Sequence, residues 1–225
     1  MNWVCSECLN RYKCYNKKTP LVLPYVGQKI MFMSEAPWNF ENENVEQFIE
    51  VMLPNFLKEI EKEQNPIPRN IFDFLHQTFG LTQSKISEFL KEVYWTHIAK
   101  KSLKGIPFNK REKFARMCLD ATNRELKVVK PRLLVIATSI GLRLLFNKIG
   151  FKMAFELQER ELEKGKLLTS SELILKHSKC GDLTPFEEYK IAIFPNPSGR
   201  NRWKYWAYKN KKTIKNLLSH IATHF

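Results

Sequence analysis

Short, uniformly apolar runs in this chain alternate with longer stretches in which apolar residues recur every three or four positions. Residues 29–33 (Lys-Ile-Met-Phe-Met), 93–99, 133–137 and 191–194 are too short for helices and read as buried strands. Between them, 45–63 carries Val45, Phe48, Ile49, Met52, Phe56, Leu57 and Ile60 at mostly helical spacing, with a kink expected at Pro54. Residues 71–80 and 85–91 read as shorter helices. The spacing of Phe114, Met117, Cys118, Ala121, Leu126 and Val129 predicts one helix over 110–129, closed off by Pro131. Further helices are predicted over 139–149, 153–164 and 203–220, and 173–175 reads as a candidate strand. Strands alternating with helices predict an α/β fold: three layers, α/β/α, around a central, mostly parallel sheet of four or five strands. The whole chain, 1–225, reads as one domain, with 1–28 as a cysteine-bearing leader packed on it.

Composition narrows the class of partner. The chain carries 37 Lys and Arg against 23 Asp and Glu, a formal charge of +14. That excess points to a polyanion, and to nucleic acid in particular, because each neutralised phosphate releases counterions. The cations cluster, with Lys100, Lys101, Lys104, Lys110 and Arg111 in one group and Arg200, Arg202, Lys204, Lys209, Lys211 and Lys212 in another. The second group is interleaved with Trp203, Tyr205, Trp206 and Tyr208, a mixture suited to phosphates and unstacked bases. No apolar run is long enough to span a membrane and the N-terminus does not read as a signal peptide. A cytoplasmic monomer is therefore expected, associated with the nucleoid if the cell is prokaryotic.

Three strand ends carry the candidate chemistry: 34–38 (Ser-Glu-Ala-Pro-Trp), 96–101 and 195–202 (Pro-Asn-Pro-Ser-Gly-Arg-Asn-Arg). In a parallel sheet these ends share one edge, where ligands bind. Taken alone, Glu35 reads equally as a helix cap and His97 as a satisfied ring near the core. Cys5, Cys8, Cys14 and Cys118 make a set of four thiols that suits an iron–sulfur cluster or tetrahedral zinc by count, and Cys180 is left over.

Taken together, these segments resemble family 4 of the uracil-DNA glycosylases. Ser34-Glu35-Ala36-Pro37 is similar to that family's Gly-Glu-Ala-Pro-Gly motif, and Tyr94-Trp95-Thr96-His97-Ile98-Ala99-Lys100 to its Tyr-Ile-Thr-Asn-Val-Val-Lys segment. The stretch from Met117-Cys118 to Pro131 and the following strand resembles its cysteine-bearing helix. Asn196-Pro197-Ser198-Gly199 resembles the last motif of the superfamily, in the form found in its mismatch-specific branch. The resemblance runs in order over residues 5–206.

It implies an enzyme of base excision repair that hydrolyses the N-glycosidic bond of uracil or another deaminated base in DNA. Glu35 would orient water or stabilise the sugar cation, Asn196 would donate to the departing base, and His97 would read the base edge. Trp38 or Phe40 would stack on the base. Ser198 and Gly199 would hold a phosphate, with Arg200, Arg202 and Trp203 as backbone clamp and wedge. Cys5, Cys8, Cys14 and Cys118 would hold a [4Fe–4S] cluster, with zinc as the alternative and no dissociable organic cofactor. Three positions depart from the family: His97 stands for Asn, Trp38 for Gly, and Lys101 for a cluster cysteine. A neutral imidazole makes one hydrogen bond to a pyrimidine edge where an amide makes two, which points away from strict uracil specificity. The departures also suit an altered or inactive nucleic-acid-binding member, including one that captures DNA covalently through His97.

Overall fold

The computed structural model describes residues 30–36, 93–99, 103, 105–146, 148–175 and 188–194, together with 210, 212–213, 216–217 and 220. Five strands form one sheet: β1 (Ile30–Ser34), β2 (Val93–His97), β3 (Leu133–Ile136), β4 (Leu168–Thr169) and β5 (Lys190–Ile193). Their order is β2-β1-β3-β5-β4. The first four in that order run parallel, and β4 closes the edge antiparallel to β5. The protein is thus an α/β fold with a mixed, mostly parallel five-stranded sheet.

Met31, Met33, Leu134, Ile136, Ile191 and Ile193 alternate onto one face and join a single hydrophobic cluster. That cluster takes in residues of α1 (Phe108–Arg116), α2 (Leu119–Val129), α3 (Ser139–Leu145), α4 (Phe151–Glu163) and α5 (Ser170–Leu175). The opposite face carries Phe32, Leu133, Val135 and Ala192, which are buried as well. The sheet is therefore the middle layer of the domain, which is why its strands are apolar at successive positions rather than at alternate ones.

The structure corrects three predicted elements. The helix expected over 110–129 is two helices, because the chain turns at Met117 and Cys118 and the Thr122 hydroxyl donates back to the Cys118 carbonyl at 3.3 Å. Such back-bonding competes with the helical ladder and bends it. The helix after β3 stops at Leu145 instead of 149. The candidate strand at 173–175 is helical: Thr169 and Glu172 cap α5 reciprocally, with Glu172 accepting from the Thr169 N–H at 2.9 Å and Thr169 Oγ1 accepting from the Glu172 N–H at 3.3 Å. The strand in this region is instead the two-residue β4 immediately before it. Predicted helices at 45–63, 71–80 and 85–91 lie outside the described residues, as does the leader; of the terminal helix, 212–213, 216–217 and 220 are described and helical.

A charged network ties the end of α4 to α5. Buried Glu161 accepts from Lys164 Nζ at 2.8 Å and from Lys166 Nζ at 3.0 Å, and Lys166 also reaches Glu172 at 2.5 Å. Among the described residues, no helix is long and apolar enough to cross a membrane.

Candidate active site

β1 and β2 are neighbours in register, so Ser34 lies opposite His97 although 63 residues separate them. Backbone bonds continue past both strand ends, from Ile98 N–H to Ser34 O at 2.9 Å and from Ala99 N–H to Glu35 O at 3.0 Å. The 34–38 and 96–101 segments thus leave the same edge of the sheet, held together by main chain. β5 ends on that edge too, with Phe194 N–H donating to Ile136 O at 3.1 Å, two strands from β1.

Successive residues of β2 face opposite ways, and each meets a partner. On the side that carries α2, the Thr96 hydroxyl donates to Glu125 Oε2 at 2.7 Å. On the other side, Ser34 Oγ and His97 Nδ1 share a hydrogen bond of 2.5 Å, with Ser34 9% and His97 4% exposed. Burial of this bond orients the imidazole, since the ring cannot exchange its partner for water without cost.

Glu35 is held differently. Arg111, in the first turns of α1, donates from Nε to the Ile106 carbonyl at 2.9 Å and from NH1 to Glu35 Oε1 at 2.8 Å. The guanidinium is thereby fixed in orientation, and the Glu35 carboxylate, whose side chain is 15% exposed, is anchored through one oxygen. Arg111 belongs to the first predicted cationic cluster, but it spends its charge on Glu35 rather than facing outward; Lys110 and Lys113 are the exposed cations of this helix. Neither the Arg111 partnership nor that of Ser34 with His97 was visible in the sequence, since both depend on which strands and helices become neighbours.

Cys118 sits at the turn between α1 and α2, 1% exposed, its Sγ donating to the Phe114 carbonyl at 3.7 Å. A buried thiol at a helix start suits a ligand as well as a packed core residue, and among the described residues no group of three metal-binding side chains gathers. The other proposed ligands, Cys5, Cys8 and Cys14, lie outside the described residues. So do Asn196, Trp38, Phe40, Ser198, Gly199, Arg200, Arg202 and Trp203. Of the sequence-predicted site, the structure therefore places Glu35, His97 and Cys118: the first two come together at one sheet edge, and Cys118 lies between the helices. No protein-family model matches this chain, and a search of curated proteins finds no match.

Proposed function

We propose that this protein is a DNA glycosylase of the uracil-DNA glycosylase type, hydrolysing the N-glycosidic bond of uracil or another deaminated base. One observation carries the reading: the two motif-bearing strand ends, Ser34-Glu35 and Thr96-His97, are register neighbours at the C-terminal edge of a parallel sheet, where α/β folds bind ligands. The chemistry needs a nucleotide swung out of the duplex, a group that reads its base, and a group that prepares water for C1′. His97 is the reader. Glu35, anchored through Oε1 by Arg111, presents Oε2 as the oxygen that orients water. Water adds to C1′, the C1′–N bond breaks, and its electron pair leaves with the base. Asn196 would donate to that developing anion, in a loop entered from the end of β5. The charge of +14 supports a polyanionic partner.

If a cluster is bound, Cys118 with Cys5, Cys8 and Cys14 would hold it, and its task would be structural, pinning the leader to the turn between α1 and α2. Incubation with oligonucleotides carrying uracil, hypoxanthine, xanthine or a G·T mismatch tests the enzyme reading. Strand cleavage after alkali at any of these is the expected result. Binding to DNA with every base left intact would remove the enzyme and leave a binding module. An intact-mass adduct with a uracil oligonucleotide, lost on His97→Gln, would turn the reading to covalent capture.

A further inference from the structure

Ser34 stands where the resembled motif begins with Gly, and His97 stands where the second motif has Asn. These two departures are register partners, and they are bonded to each other. Glycine has no side chain with which to make this bond, so the serine and the histidine work as one unit. The direction of the bond follows from its length. At 2.5 Å, Oγ to Nδ1 is within the range of hydroxyl donors and shorter than an N–H donor ordinarily reaches.

We propose that Ser34 donates to His97 Nδ1 and so holds the ring with its proton on Nε2, making His97 a single fixed donor that recognises a carbonyl on the edge of an extruded nucleobase. Neutral imidazole has one donor and one acceptor, and once Nδ1 is occupied as acceptor only the Nε2–H can address a ligand. Hydrolytic deamination of cytosine or adenine replaces an exocyclic amine, a donor, with a carbonyl, an acceptor. A lone donor reads that replacement directly: uracil O4 and hypoxanthine O6 satisfy it, whereas the amines of cytosine and adenine oppose it donor to donor. In a buried setting that opposition is not relieved by water. An amide grips the carbonyl and the adjacent ring N–H at once and thereby fixes how the ring sits; a single donor fixes less, and accommodates a pyrimidine or a purine. The ligand class is therefore a base with a keto group at pyrimidine C4 or purine C6. The choice of ligand rests on the glycosylase reading, whereas the tautomer does not.

Nitrogen-15 NMR of the full-length protein, with His97 assigned by comparison with His97→Gln, tests the tautomer. The proton is expected on Nε2 in the wild type and in Ser34→Thr, which keeps the hydroxyl. A proton on Nδ1 in the wild type overturns the proposal whatever the activity. In the second arm, uracil and hypoxanthine are expected to be excised with kcat/KM values within roughly tenfold of each other, the scale of one hydrogen bond, and cytosine and adenine left intact. Ser34→Ala should lose roughly tenfold on both substrates with its melting curve unchanged, and Ser34→Thr should recover the loss. Excision of uracil alone, or a Ser34→Ala protein as active as the wild type, overturns the base-reading role. If no base is excised at all, the glycosylase reading and the ligand class fall together, and the NMR result decides the Ser34 role independently.

Discussion

The side-chain amide of Gln158 completes the edge of β5 at Ile193, donating to its carbonyl at 3.2 Å and accepting from its N–H at 2.6 Å. β4 pairs only with Lys190 and Ile191, so the strand outruns its neighbour, and a buried backbone pair at Ile193 needs another partner. A primary amide is the one neutral side-chain group that offers donor and acceptor together in this way. The bond secures the strand end from which the chain enters the 195–202 loop.

Gln158→Leu keeps the volume but leaves both backbone groups of Ile193 buried without that partner. The expected loss is about 2–4 kcal/mol, from roughly 1–3 kcal/mol per stranded group, read from urea denaturation. Gln158→Glu preserves an acceptor for the N–H and should lose less than the Leu variant. Equal stability of wild type and Gln158→Leu would mean that the edge is closed by other means.

Glu35→Gln retains the shape and an oxygen for Arg111 but removes the carboxylate proposed to orient water. The expected result is a fall in kcat of about a hundredfold or more, with DNA affinity within about threefold of wild type by fluorescence anisotropy. A loss confined to affinity would assign Glu35 to binding.

At Gly141 an added Cβ would lie 2.6 Å from the Thr138 Cγ2 methyl. Thr138 cannot simply rotate away, because its hydroxyl caps α3 by accepting from the Gly141 N–H. Gly141→Ala is expected to cost about 1–3 kcal/mol by thermal or urea unfolding, despite the better helix propensity of alanine. Thr138→Ser removes the methyl and keeps the cap, so the double variant should recover part of that loss, a non-additivity that a double-mutant cycle measures.

Burial works to push the Glu172 carboxyl up, but the Lys166 ammonium and the Thr169 N–H outweigh it and hold the group below its ordinary 4.5. Lys166, bonded to Glu172 and Glu161, is held above its ordinary 10.5. A depressed carboxyl contributes stability in full above its unfolded-state value and loses it as pH falls through the folded-state one; a raised ammonium contributes in full below its unfolded-state value and loses it as pH rises. The network therefore contributes fully between about pH 4.5 and 10.5. The stability gap between wild type and Glu172→Gln, measured by urea denaturation across pH, should be constant near neutrality and narrow below pH 4.5. A gap that widens on acidification would contradict the assignment.

Elemental analysis of freshly purified protein addresses the cysteines. About four irons per chain fit the cluster and about one zinc fits a tetrahedral site, and Cys118→Ser should reduce the bound metal in either case. Metal content unchanged by Cys118→Ser would make its thiol a core residue.

Much of the architecture is legible in the order of the residues. Leu133–Ile136 and Lys190–Ile193 are strands because a short run of branched apolar residues ended by a breaker or a polar turn suits a sheet covered on both faces. The misread elements share a cause. Ser170–Leu175 looked extended through its apolar residues, but the reciprocal cap between Thr169 and Glu172 starts a helix there. The break at Cys118 carries no Gly or Pro to announce it, only the hydroxyl of Thr122 four residues on.

Which strands exist, that they are buried, and which of their ends carry polar chemistry were determined by the sequence itself, because period and punctuation are local properties. The partners were decided by the tertiary structure alone. Ser34 meets His97 across 63 positions, Glu35 meets Arg111 across 76, and Gln158 meets Ile193 across 35. Each pairing depends on the strand order β2-β1-β3-β5-β4 and its register, since a one-residue slip would turn Ser34 or His97 to the opposite face. Such contacts arise from the packing of whole elements, and no residue along the chain encodes them by its own preference.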